Sequence, residues 1–533
     1  MPYSNILIFF ASFLLFCPIS VLILGLLPES RLDKNPYYFS VLASKMAFLG
    51  FISAMISGIF LFNHGPLVYK LGAGNFQFDV LYFDNLSLVV LLLISFLLFM
   101  VLRFSFNYLK GDKNQGRFTK WLCLTGGSVI FLVISGNLIQ FSVAWVSTSL
   151  CLHQLLQFYP ERPGALLAAR KKFIISRIGD ACLLMVLILV FREFHTLNYE
   201  SLFAAVRNFN GLSADVFIHH LNPICLLLVA GAMLKSAQFP FHSWLPDTME
   251  TPTPVSALMH AGIINAGGFL IIRMAPLVIT SHAAMATLAF FGAITALLGS
   301  LVMLTHSSIK RVLAFSTIAQ MGFMMLECGL GAFSLALLHL VSHSLYKAYA
   351  FLSSGTVKIS GKSFLGPSKR SLNPIAILIS LILSFGIVWG FSYFLKIEVF
   401  NTPPNRVLAI FFSLSMSYFL WNLWSQKWTP LYFIYGIIGG FGIGFGYFIL
   451  HKVFQEYILT SLPYSFQSYS LPEYFLMGFL VLIFVLVMVL QMELPKKNQS
   501  PFLGALYVHA RNGFYFNTLF NRWVQSLWPV QKK

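Results

Sequence analysis

The stretch Val229-Ala-Gly-Ala-Met-Leu-Lys235-Ser-Ala-Gln-Phe-Pro240-Phe-His-Ser-Trp-Leu-Pro246 decides how this chain is read. Lys235 sits well inside an apolar run, where an ionisable side chain costs about 2.5–3.5 kcal/mol at the bilayer centre. Pro240 follows, and a proline within a helix removes a backbone hydrogen bond and kinks or breaks it. The pattern predicts a broken membrane helix with a lysine beside the break. Irregular backbone at membrane depth is tolerated where it lines a wet cavity, and such helices mark ion sites in transporters. A lysine there either snorkels to the interface or loads and releases a proton.

The rest of the chain fits that setting. Of 533 residues, 58% are hydrophobic and 10% charged, whereas a soluble domain carries roughly 25% charged residues. Lipid is therefore the main solvent. Apolar runs begin near Ile6, Val41, Leu86, Lys120, Ile139, Phe173, Asn222, Pro254, Ala283, Ile309, Phe333, Pro374, Arg406, Pro430 and Leu471. At about 20 residues per span they predict an all-α polytopic membrane protein with about 13–15 transmembrane helices. A β-barrel would alternate polar and apolar residues, and these runs do not. Four regions follow: N-terminal helices over 1–110, a core over 111–400, C-terminal helices over 401–495 and a tail over 496–533. The tail mixes Tyr507, Phe514, Tyr515, Phe516, Trp523 and Trp528 with basic residues, which suits an amphipathic interfacial helix or a partner-docking segment.

The net charge of +18 belongs to loops between apolar runs, so the partner it implies is the lipid bilayer and not nucleic acid. Basic stretches lie at Arg103–Lys120, Arg162–Lys172, Lys310–Arg311 and Lys358–Arg370. All four fall on one side when the spans are counted. That side is expected to be the cytoplasm, with the N-terminus in the periplasm. The run Ile6–Leu27 has no basic residues ahead of it and is long for a signal peptide, so it is expected to stay as a helix. Cys17, Cys123, Cys151, Cys182, Cys225 and Cys328 lie in or beside apolar runs without a C-x-x-C pair and read as small core hydrophobes.

Further ionisable residues sit at membrane depth. His260 lies about two turns into the helix opened by Pro252 and Pro254; it is either a satisfied core histidine or a proton relay. His339, His343 and Lys347 share one helix face at i, i+4, i+8. Each step rises about 6 Å, which water bridges. A metal site or a purely structural polar cluster are the other readings; no nearby carboxylate or cysteine completes a metal cage. Lys396 and Glu398 beside Pro403 and Pro404 read either as a second broken helix or as a helix cap at the interface. Glu327 and Asp180 are intramembrane acids that need partners: a relay lysine is the candidate for Glu327, and Arg177 is the simpler one for Asp180. No motif for NADH, flavin, an iron–sulfur cluster or ATP is present, so no cofactor is expected and energy comes from an ion gradient or a partner subunit.

At Lys235-Ser-Ala-Gln-Phe-Pro-Phe-His-Ser-Trp-Leu-Pro-Asp247, Pro252-Thr-Pro-Val-Ser-Ala-Leu-Met-His260, Ile309-Lys-Arg-Val-Leu-Ala-Phe-Ser-Thr-Ile-Ala-Gln-Met-Gly322 and His339-Leu-Val-Ser-His-Ser-Leu-Tyr-Lys-Ala348 the chain resembles the antiporter-like subunits of respiratory complex I, the subunit L or ND5 branch of the proton-conducting membrane transporters. The resemblance implies two inverted five-helix repeats, each with a broken helix. It implies that Lys235, His260, His339, His343, Lys347 and Lys396 carry ions. That family's glutamate should follow Trp145; here the position is Val146, so Lys235 needs another counter-charge. The long lateral helix of complex I subunit L is expected to be absent. Leu152-His-Gln-Leu-Leu-Gln-Phe-Tyr-Pro-Glu-Arg162, His260-Ala-Gly-Ile-Ile-Asn-Ala-Gly-Gly-Phe-Leu270 and Leu506-Tyr-Val-His-Ala-Arg-Asn-Gly-Phe-Tyr515 are similar to the DabB family, membrane subunits of bacterial inorganic carbon pumps. That likeness implies a large zinc-binding DabA-type partner, flow of H⁺ or Na⁺ that drives CO₂ hydration to bicarbonate, and a place in the bacterial inner membrane. A subunit of a complex I-like oxidoreductase, or a cation/proton antiporter subunit, is the alternative.

Overall fold

Lipid offers no partner to a backbone N–H or C=O, so each apolar run satisfies its own as a helix. The computed structural model describes residues 2–72, 77–208, 214–356, 374–397, 399–425, 429–458, 469–493 and 500–529. Glu398 and the basic residues Lys358, Lys362, Lys369 and Arg370 lie outside them. Among the described residues, twelve helices are long and apolar enough to cross a membrane. Three further helices, Leu138–Leu156, Ala214–Lys235 and Phe333–Leu352, match predicted runs without being among the twelve. They carry His153, Lys235, His339, His343 and Lys347, so these three helices hold much of the buried ionisable chemistry.

The described chain divides into two compact units. The first holds α1 (Pro2–Leu26), α2 (Glu29–Lys34), α3 (Pro36–His64), β1 (Leu67–Leu71), β2 (Phe78–Phe83), α4 (Asn85–Tyr108), α5 (Gln115–Ile134), α6 (Leu138–Leu156), α7 (Pro163–Phe194), α8 (Tyr199–Asn208), α9 (Ala214–Lys235), α10 (Trp244–Asp247), α11 (Thr253–Ala261), α12 (Ala266–Arg273) and α13 (Ala275–Val278). The second holds most of α14 (His282–Met303), then α15 (Ile309–Gly329), α17 (Pro374–Leu395), α18 (Pro403–Trp424), α19 (Pro430–Ile458), α20 (Leu471–Glu493) and α21 (Pro501–Arg511). From α16 (Phe333–Leu352), residues 340–352 belong to the first unit, as does α22 (Phe516–Leu527).

In the first unit Trp145, Phe118, Phe141, Tyr199 and Phe351 are fully buried. β1 and β2 pair antiparallel, with a bulge between Tyr69 and Lys70. The Asn137 amide holds this hairpin by donating to the Asp79 carbonyl at 2.8 Å. Small residues let helix backbones close on each other, as in other membrane helix pairs. A Cβ on Gly267 would run into the Ala232 carbonyl and the Ser236 hydroxyl, so α12 lies directly on the end of α9.

The second unit uses the same device between α14 and α15. A Cβ on Gly292 would lie 2.6 Å from the Leu326 nitrogen, and one on Gly299 2.8 Å from the Ala319 nitrogen. Around that seam Leu326, Leu408, Phe411, Leu480 and Ile483 build one buried apolar cluster.

Three places differ from the sequence reading. The hairpin was not expected. The basic stretch Arg162–Lys172 is mostly helix, since α7 starts at Pro163, and Lys171 and Lys172 are buried inside the protein. They are therefore not loop charges. The helix containing His260 is interrupted: α11 ends at Ala261, a tight 3₁₀ turn covers Ile263–Asn265, and α12 resumes at Ala266.

The tail from Phe516 packs on its own first unit. Lys171 pairs with Asp247 and Asn517, and the Asn517 amide donates to Asp247 at 3.1 Å. Arg170 donates to the Trp528 carbonyl at 2.9 Å. Phe516 meets Phe239 edge-on at 4.6 Å.

Candidate functional site

The helix breaks several residues ahead of the proline that predicts it. α9 ends at Lys235, and Ala237 takes the left-handed backbone, φ 48°. The Gln238 nitrogen then donates back to the Met233 carbonyl at 3.0 Å. This 6→1 bond with a left-handed residue is a helix-terminating cap that glycine usually supplies. Pro240 lies in the irregular segment between α9 and α10, so the break is present and starts on the lysine side of it.

The cap leaves Lys235 buried at the helix end, 7% exposed. Its ammonium lies 3.4 Å from the Trp145 carbonyl on α6 and 4.3 Å from the centre of the Trp145 ring, a cation–π contact. Val146 is the next residue on that helix. The acid within electrostatic reach of Lys235 is Asp180 on α7, which forms an ion pair with Arg177 at 2.6 Å.

His260 and Lys347 are both fully buried in the same unit. The His260 ring stacks on Phe351 at 4.4 Å, one turn beyond Lys347 on α16, and the two ionisable groups interact electrostatically. His343 is also buried. The turn at Ile263–Asn265 is tied to α16, because the Asn265 amide donates to the Ser344 hydroxyl at 2.7 Å. The backbone therefore breaks beside His260 as well as beside Lys235. Gly262 and the run Asn265-Ala-Gly-Gly268 are the sequence signal for that second break.

In the second unit Glu327 on α15 meets His339 on α16: Nδ1 and the carboxylate are 2.8 Å apart, and both side chains are largely buried. The partner of Glu327 is thus His339, and the expectation of a lysine partner is corrected. Lys396 is exposed at the end of α17 with a left-handed backbone, φ 54°, and the Ile397 nitrogen donates to the Ser392 carbonyl at 3.0 Å. This is the cap geometry of α9 repeated, but here the lysine sits outside the packed interior.

Lys172 and Arg273 are buried groups that no sequence motif singles out. Lys172, 3% exposed, donates to the Ser149 carbonyl and hydroxyl, each at 2.7 Å. Arg273 at the end of α12 donates to both carboxylate oxygens of Asp84, at 2.8 and 3.1 Å. The arginine was legible as an ionisable residue in an apolar run; its partner, 189 positions earlier, was not.

The comparisons with known proteins agree with this architecture. Residues 135–429 match the family described as NADH:quinone oxidoreductase/Mrp antiporter, transmembrane. Residues 71–119 match the N-terminus of chain 5 of NADH-ubiquinone oxidoreductase, complex I. A probable inorganic carbon transporter subunit, DabB2 of Halothiobacillus neapolitanus, is 39% identical over 453 residues, covering 84% of this chain and 80% of that one. The probable inorganic carbon transporter subunit DabB of Hydrogenovibrio crunogenus is 39% identical over 388 residues, 71% of each. The chloroplast NAD(P)H-quinone oxidoreductase subunit 5 of Glycine max is 40% identical over 286 residues, 54% of this chain and 38% of that one. Among solved structures, the Mrp complex of a Dietzia species has a chain with the same fold, at a TM-score of 0.63 and 20% identity, covering 95% of this chain and 59% of the other.

Proposed function

This chain belongs to the NADH:quinone oxidoreductase/Mrp antiporter membrane family, alongside the DabB subunits, and we propose that it is the ion-conducting membrane subunit of an energy-coupled inorganic carbon transporter. Lys235 carries the reading: a lysine buried at a broken helix end is expensive, and the neighbouring backbone break brings in His260 and Lys347. Within the first unit Lys235, His260, His343 and Lys347 pass H⁺ or Na⁺, with Asp180 as the counter-charge that Val146 does not provide. Within the second, the Glu327–His339 pair extends the same chemistry. Lys396 has a lesser part, because exposure removes the desolvation that makes a lysine a useful carrier.

The partner is a large zinc-binding DabA-type subunit, which hydrates CO₂ to bicarbonate while ion flow through this chain makes the process one-way. The complex sits in the bacterial inner membrane with the N-terminus of this chain in the periplasm, an orientation supported by the basic residues at the facing ends of α4 and α5 and in the connection between them. A second reading, a proton-pumping subunit of a complex I-like quinone oxidoreductase, is favoured by the 40% identity to the chloroplast subunit 5.

Purification of the tagged chain from its own membranes, with metal and flavin assays on what comes with it, separates the two. A stoichiometric large zinc protein supports the transporter. Flavin and iron–sulfur subunits in its place would overturn it in favour of the oxidoreductase.

A further inference from the structure

We propose that Lys172 and His153 form a proton branch leading away from Lys235 along the seam between α6 and α7, and that the ion handled at this site is the proton rather than Na⁺. The inference rests on the reading of the chain as ion-conducting and adds a route and an ion to it.

The geometry is a ladder on one face of α6. Trp145, Ser149 and His153 are spaced i, i+4, i+8 and so point the same way, about 6 Å apart per step. Each rung carries an ionisable group. The Trp145 carbonyl faces the Lys235 ammonium at 3.4 Å. The Ser149 carbonyl and hydroxyl both accept from Lys172 at 2.7 Å. His153 is itself the third rung, 9% exposed, with its ring against Phe173 at 5.1 Å. Its Nδ1 is buried and makes no hydrogen bond among the described residues. The charges of Lys172, Lys235 and His153 interact in sequence along this line. The ladder ends near the C-terminus of α6 at Leu156, where the chain leaves the apolar run for Tyr159–Arg162.

The neighbouring lysine shows what a structural role looks like. Lys171 is fully buried and is neutralised by the Asp247 carboxylate, with Asn517 beside it. Lys172, one residue on, takes only neutral oxygens as hydrogen-bond partners. An ammonium has three donors, and Ser149 uses two. The third is free to pass a proton to water or to the imidazole beyond.

The same charges exclude a metal cation. Asp180 pairs with Arg177 at 2.6 Å, and the charges of Lys172 and Lys235 act on the same acid. Sites for hard cations are built from carboxylate and carbonyl oxygens, and three cationic side chains repel one. A proton moves by exchange between nitrogen and water, so the lysines are its carriers instead of its barrier.

The test is ion flux in proteoliposomes containing the full chain with its co-purifying partner. A potassium diffusion potential drives flux, and internal pH- and sodium-sensitive dyes read it. Lys172→Met, Lys172→Arg and His153→Gln are each expected to lower proton flux at least ten-fold with an unchanged melting midpoint, and wild type carries no sodium. Arginine keeps the charge and the bonds to Ser149 but does not release its proton, so a structural lysine would be rescued by it and a relay lysine would not. Rescue by arginine, or wild-type flux in Lys172→Met and His153→Gln while Lys235→Ala is inactive, overturns the branch and leaves ion conduction standing. Sodium flux through the wild type overturns the assignment of the ion. A wild-type chain that conducts neither ion overturns the conduction reading and the branch with it. Should Lys172→Met not fold, Lys172→Arg and His153→Gln decide.

Discussion

Asp84→Ala is expected to be among the most destabilising single substitutions in the first unit. Asp84 does two jobs. Its carboxylate accepts from the Ser87 nitrogen at 2.9 Å and so caps α4. It also takes a two-pronged pair of bonds from Arg273, whose second nitrogen reaches the Ser87 hydroxyl at 2.6 Å as well. Both side chains of the pair are 3% exposed. Removing one partner of a buried pair costs about 3–5 kcal/mol, because the other charge is left without compensation. Loss of the cap to the Ser87 nitrogen adds about 1 kcal/mol. The exposed pair Lys70–Glu200, 44% and 49% exposed, sets the contrast: breaking it costs no more than about 1 kcal/mol. Thermal unfolding in detergent, followed by helix signal and by reactivity of buried Cys225, measures both. The double variant Asp84→Ala with Arg273→Met removes both charges, so it is expected to recover a large part of the loss. Asp84→Ala within 1 kcal/mol of wild type, or a double variant no better than the single, would refute the claim that this pair anchors α12 to α4.

Two further outcomes follow from the second unit. Glu327→Gln keeps the shape at His339 but removes the charge; a charge-assisted hydrogen bond is worth about 1.5–3 kcal/mol, so ion flux is expected to fall roughly ten-fold or more. Unchanged flux would make the pair structural. Gly292→Ala puts a methyl 2.6 Å from the Leu326 nitrogen and 2.7 Å from the Gly322 carbonyl, both rigid backbone, and is expected to destabilise by about 1–3 kcal/mol; Gly442→Ala, where nothing lies within 4 Å, serves as the control and is expected to be neutral or stabilising in the same melting assay.

The fold was largely legible because the bilayer makes composition decisive. Each predicted apolar run is helical, the one from Pro254 in two pieces, and Lys235 with Pro240 marks the break after α9. What sequence did not disclose were the pairings. Whether Glu327 meets a lysine or a histidine depends on how α15 faces α16, and no local pattern states that. Lys171 and Lys172 were hidden by context: beside Arg162 and Arg170 they read as loop charge, and only the start of α7 at Pro163 carries them inside. The break after His260 had its signal in Gly262 and Asn265, but small residues in membrane helices more often serve close packing, as Gly267 does against Ala232. The strands Leu67–Leu71 and Phe78–Phe83 carry no polar–apolar alternation, since Phe78 is exposed and the charged Asp79 is buried, so no period-2 pattern marks the hairpin.

The central claim is that ions pass through Lys235. The direct measurement is potential-driven flux in proteoliposomes of wild type and Lys235→Ala at matched protein content and equal melting midpoints. The account predicts flux in the wild type and none above empty liposomes in the variant. Equal flux in both would contradict it.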